Sequence, residues 1–110
     1  MRQYVIDELS KKDVAKSTEY LNTHAQLSPV GGLYWIDLQE DILSPEQYSH
    51  EECKPFCFSI EVGEDLVKFE FLIRSKKTLR CSCIQYASRL QRDFIIGFAE
   101  NMLLETGIAT

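Results

Sequence analysis

Three strand-like runs follow one another in the second half of the chain: PFCFSIEV (55–62), LVKFEFLIR (66–74) and TLRCSCIQY (78–86). Gly63-Glu64-Asp65 and Ser75-Lys76-Lys77 separate them. Connections that short join antiparallel neighbours, because a parallel crossover needs about a dozen residues or more. An antiparallel meander over 55–86 is therefore the frame onto which the rest of the chain must pack.

Alternation within the runs assigns their faces, since successive side chains on a strand point to opposite sides. Phe56, Phe58, Ile60 and Val62 form one set, with Cys57, Ser59 and Glu61 behind them. Val67, Phe69, Phe71 and Ile73 form the second core set, against Lys68, Glu70, Leu72 and Arg74. In the third run Leu79, Cys81 and Cys83 face the core, against Arg80, Ser82, Ile84 and Tyr86.

Around this meander the remaining elements are legible from their ends. QYVIDE (3–8) reads as a first strand, and Ser10 with Asp13 opens a helix over 11–25, whose Val14, Thr18, Leu21 and Ala25 make a thin apolar stripe. Ser28 to Gly32 is a turn cluster and LYWIDL (33–38) a strand. Ser44-Pro45 starts a short helix to about Glu52. Ser88 with Gln91 opens a final helix that Gly107 ends. The order predicts one α+β domain over 1–110, with helices packed on one face of an antiparallel-dominated sheet of four to five strands.

With no apolar run of signal or membrane length and four cysteines in 110 residues, the expected setting is cytoplasmic, with the cysteines as thiols or thiolate ligands. The net charge of −5 disfavours nucleic acid as a partner, even for the basic hairpin Arg74, Lys76, Lys77 and Arg80. Asp37 to Glu52 carries six acids and no base, and Arg74 to Arg92 six bases and no acid, a contrast suited to pairing between subunits or with a partner.

Catalytic signatures are sparse. The glycines fit neither a dinucleotide fingerprint nor a P-loop, and His24 and His50 stand in no known catalytic spacing. Asp37, Glu40 and Asp41 lack calcium-loop spacing. The opening RQYVIDELSKKDVAKSTEYL (2–21) resembles the first strand and helix of GNAT acetyltransferases; no later glycine-containing pyrophosphate loop accompanies it, so the resemblance implies no activity here.

Two readings follow. The first is a non-catalytic module acting by protein–protein association, as a homodimer or accessory subunit. Trp35 and Tyr86 on the sheet face away from the core, with Ile96 and Leu103 on a last helix apolar round most of its circumference, are the contact residues. On this reading the cysteines are core residues and no cofactor is expected. The alternative is a thiolate metal or redox module centred on Cys81 and Cys83, with Cys53 and His50 as further candidate ligands and zinc or iron as the metal. Parity puts Cys57 across the sheet from Cys81 and Cys83, which excludes a site using all four thiolates. A small-ligand pocket between helices and sheet ranks third.

Overall fold

The computed structural model describes residues 2–110, and it is an α+β fold with a mostly antiparallel sheet. The sheet is built from β1 (Gln3–Ile6), β2 (Gln26–Leu27), β3 (Leu33–Asp37), β4 (Phe56–Val62), β5 (Val67–Glu70), β6 (Leu72–Ser75) and β7 (Gln85–Tyr86). The helices are α1 (Lys11–His24), α2 (Pro45–Ser49) and α3 (Arg89–Thr106). Strands run in the order β1-β5-β4-β3-β2, with β6 beside the start of β4 and β7 beside β6.

The sheet has seven strands where four to five were expected, and the difference has local causes. The 66–74 run is broken at Phe71: Ile60 opposes Phe69 whereas Cys57 opposes Arg74, so three steps along β4 match five along its partner. The bulged Phe71 takes its hydrogen bonds elsewhere, donating to Arg2 O at 3.1 Å and accepting from Ala87 N at 2.7 Å. Because the insertion is even, parity survives it, and Val67, Phe69 and Ile73 are all fully buried. β2 is an unforeseen two-residue strand that returns from α1 to pair with β3. Gly32, with φ 81°, closes the turn between them; a Cβ there would lie 3.2 Å from Val62 O.

The third predicted strand is the clearest correction. Of 78–86 only Gln85 and Tyr86 pair with a neighbour, and Leu79, placed in the core by alternation, is 94% exposed. Side chains in this segment satisfy the backbone locally instead of leaving it to a ladder. Ser75 Oγ accepts from Lys77 N and Thr78 N, Thr78 Oγ1 accepts from Arg80 N and donates to Arg80 O, and Ile84 N closes a turn onto Cys81 O at 3.0 Å.

The core lies between the sheet and the two long helices. Leu21 of α1 and Ile95, Ala99 and Met102 of α3 are fully buried against Phe56, Phe58, Ile60, Val67, Phe69 and Ile73. Phe58 meets Phe94 and Phe98 edge-on, with ring centroids 6.2 and 6.3 Å apart. Leu90 is exposed, and the buried polar Gln91 takes the inward position of that turn. The helix caps are as the sequence predicts. Ser10 Oγ accepts from Asp13 N, Ser44 and Ser88 each form a reciprocal capping box, and Gly107 ends α3 at φ 73°. No helix among the described residues is long and apolar enough to cross a membrane.

Candidate metal centre

The connection between β3 and β4 begins with a 3-10 turn at Glu40–Ile42, then α2, then a second 3-10 turn at Glu51–Cys53. Pro45 at the first helical position and the Ser44–Gln47 box start α2, and it lasts only to Ser49. His50 then leaves helical geometry at φ −90°, ψ 71°, and Cys53 N bonds back to His50 O at 3.0 Å. Side chains three apart on a 3-10 turn eclipse one another, so His50 and Cys53 point the same way.

The second half of the site comes from the loop that replaced the predicted strand. In an extended strand Cys81 and Cys83 would sit roughly 6.6 Å apart at their Cα atoms, both directed at the core. In the observed turn their sulfurs converge instead on the His50–Cys53 pair. One ligand atom from each of His50, Cys53, Cys81 and Cys83 lies within 4.8 Å of the other three, and His50 Nδ1 is 3.2 Å from Cys81 Sγ. Cys53 and Cys83 are buried while His50 and Cys81 are partly open. Cys57 sits apart on the other face of β4, opposite Asp37 and Arg74 in the ladders.

The three thiols of the cluster are shifted unequally by burial and by one another. Backbone and side-chain hydrogen bonds from Cys83 bring the Cys81 thiol down to about 7 against the effect of its burial, with His50 and Cys53 assisting. Burial first, then Cys81 and Cys53, push Cys83 up to about 12. Burial also raises Cys53, with Cys81 and Glu52 adding to it. A thiolate is favoured at Cys81, and its neighbours are pushed toward the thiol form. A divalent cation in their midst would remove that constraint, since a coordinating thiol gives up its proton.

The donor set then restricts the ion. Thiolates and imidazole suit zinc, iron and copper(I), whereas calcium and magnesium need oxygen ligands. Four protein donors close a tetrahedral shell and leave no position for a substrate, the pattern of structural zinc sites. With zinc–sulfur bonds of about 2.3 Å the donors of a tetrahedron stand about 3.8 Å apart, so the cluster need contract by only about 1 Å. Hydrogen bonds that use no metal already hold the two halves together: Gln47 Nε2 donates to Cys83 O at 3.1 Å, Gln85 Nε2 donates to Glu46 at 2.6 Å, Ser82 Oγ donates to Glu46, and Ser75 Oγ donates to Cys53 O.

The residues expected at an interface are dispersed. Trp35, Ile84 and Leu79 line a groove of 250 Å³ with Arg74, Ser75, Lys76 and Thr78 on the sheet face away from the helices. Tyr86 lies elsewhere, beneath the Arg2 guanidinium at 4.0 Å from its ring centre. Ile96 and Leu103 are half-buried, and Leu103 packs onto the core. The acidic and basic segments meet within the chain where Lys76 pairs with Asp37 at 2.5 Å, while Glu40 and Glu51 pair instead with Lys54, outside both segments, each at 2.7 Å.

His24 stacks on Tyr20 with ring centres 3.9 Å apart, far from any cysteine in the sequence and outside the cluster. The sequence reading named all four cluster residues but missed the bracing role of Glu46 and Gln47; the serine three residues before Gln47 signalled only a helix cap. Comparison of the chain with protein-family models, with curated proteins and with solved structures finds no match.

Proposed function

We propose that this chain is a metal-binding module that holds one zinc ion through His50 Nδ1 and the thiolates of Cys53, Cys81 and Cys83. The observation that carries the reading is the convergence of three sulfurs and one imidazole nitrogen within 4.8 Å from segments some thirty residues apart in sequence. A disulfide needs two sulfurs and has no use for the imidazole, whereas a tetrahedral ion uses all four groups. The ion's role is structural. It fastens the 76–84 loop to the α2 connection, two segments otherwise joined by hydrogen bonds and by the shared burial of Cys53 and Cys83. Free thiolate ligands fit a reducing compartment such as the cytoplasm.

Titration of reduced, metal-free protein with Co²⁺ tests the assignment. A one-to-one endpoint with thiolate-to-cobalt charge transfer, displaced by Zn²⁺ and lost in Cys53→Ser, Cys81→Ser and Cys83→Ser but retained in Cys57→Ser, supports it. A featureless spectrum, or a spectrum that Cys57→Ser abolishes, sinks it.

Self-association as a dimer is the second reading, and one observation favours it: the almost fully exposed Leu79 beside the Trp35 groove. The metal-fastened loop forms one wall of that groove. Light scattering on the native chain, Trp35→Ala and Leu79→Ser tests this reading. A dimer that the substitutions dissociate supports it, and a native monomer at high concentration removes it.

A further inference from the structure

Two glutamines, Gln47 and Gln91, are only 1% exposed, and each closes a capping box at the start of its own helix. They are also bonded to each other: Gln91 Nε2 donates to Gln47 Oε1 at 2.8 Å and to Ile42 O at 2.9 Å. Gln47 Oε1 accepts a second bond from Ser44 N at 3.0 Å, and this pair of donors fixes which way the amide is turned. The Gln47 amide nitrogen is thereby aimed at Cys83 O, 3.1 Å away. Gln91 Oε1 is occupied by Ser88 N at 3.0 Å, so its own amide is oriented by the same logic. Among the described residues no buried side-chain nitrogen or oxygen is left without a partner.

We infer that Gln47 and Gln91 are positioning residues for the metal centre, a relay that runs from α3 through α2 to the backbone of the ligand Cys83. This rests on the metal reading above. The relay has no freedom to turn: each amide is committed at both ends, and both lie where water does not compete. Its terminal bond is the one hydrogen bond from α2 to this ligand residue among the described residues, while Glu46 holds the nearby Ser82 and Gln85 from the solvent side. The ligand loop is thus anchored at Cys83 before the ion arrives, and the ion is spared part of the cost of ordering it. Groups that orient metal ligands in this way typically change metal affinity about 10-fold to 100-fold when removed.

Gln47→Met and Gln91→Met remove the amides at near-constant volume. Ser17→Ala, which deletes the hydrogen bond from the buried Ser17 Oγ to Asp13 O in α1, is the control for a loss of fold stability alone. Zn²⁺ affinity of each reduced chain is measured by competition with a chromophoric chelator, beside the thermal midpoint of the metal-free protein. The inference expects Zn²⁺ to bind about 10-fold to 100-fold more weakly to both glutamine variants, with changed Co²⁺ d–d bands, and within twofold of native to Ser17→Ala. Glutamine variants that bind Zn²⁺ as tightly as the native chain, whatever their midpoints, overturn it. If either fails to fold, Gln47→Asn and Gln91→Asn, which keep the amide but shorten its reach by one methylene, carry the test, a tenfold weakening supporting the relay and unchanged affinity opposing it. A native chain that takes up no Zn²⁺ defeats the metal reading itself, a distinct outcome.

Discussion

Removing the ion from the His50, Cys53, Cys81 and Cys83 site is the perturbation whose size follows most directly from the architecture. Cys53 and Cys83 belong to the hydrophobic core, but most of that core is made by aliphatic and aromatic side chains of α1, α3 and the sheet, so the metal-free chain keeps its fold and loses only what the ion adds. A ligand that binds the folded state alone stabilises it by about 4 kcal/mol when free at a thousand times its dissociation constant. Unfolding entropy of about 2.1 cal/mol/K per residue, over the 110 residues of this chain, comes to about 0.23 kcal/mol/K. The thermal midpoint should therefore fall by about 18 °C when zinc buffered at that level is replaced by excess chelator. The assay is thermal unfolding followed by circular dichroism under reductant, with hydrogen exchange alongside. Exchange should rise mainly in the amides of 76–84 and 50–53 while β4 and α3 stay protected. A midpoint unmoved by chelation would refute the site. Loss of the helical signal at room temperature would refute the claim that the core stands on its own.

Three further outcomes follow from the packing. Phe58→Ala, which empties a fully buried position touching both Phe94 and Phe98, should cost about 3–5 kcal/mol in urea unfolding, much of the margin of an ordinary domain. Gly107→Ala should cost about 1–2 kcal/mol through its positive φ alone, and Gly32→Ala more, because its new Cβ also presses on Val62 O; equal costs at the two sites would contradict the reasoning. Burial pushes the Cys57 thiol up to about 11, so at pH 8 it is protonated, and thiolate chemistry there begins only as pH climbs toward that value. Iodoacetamide at pH 8 should leave Cys57 unmodified in the folded chain and label it after denaturation, as peptide mapping reads directly.

What the sequence disclosed, and what it hid, divides along the range of the forces involved. Ser10, Ser44, Ser88 and Gly107 marked helix ends through bonds to backbone three or four residues away, and all four stand where the pattern put them. The alternation Phe56, Phe58, Ile60 against Cys57 and Ser59 gave the faces of β4 and separated Cys57 from the other thiols. The same alternation misled at 78–86, where Leu79, Cys81 and Cys83 imitate one face of a strand. Ser75 and Thr78 bind the local backbone there and turn the segment into loop. That error hid the cluster, since a strand holds two cysteines at fixed separation and a turn lets their sulfurs meet a third and an imidazole. His50 and Cys53 stood out only as further candidate ligands, and their meeting with 81–83 depends on contacts across more than two dozen residues. The Gln47–Gln91 bond, 44 positions apart, leaves no periodic trace at all.

Metal content bears most directly on the central claim. The chain is purified without metal-affinity resin, under reductant, and weighed by native mass spectrometry before and after denaturation, together with Cys83→Ser. The account predicts one zinc ion per native chain, released on denaturation and missing from the variant. A native chain carrying no metal, which stays metal-free when reduced and supplied with Zn²⁺, would contradict it and leave the three thiols and His50 as packing residues.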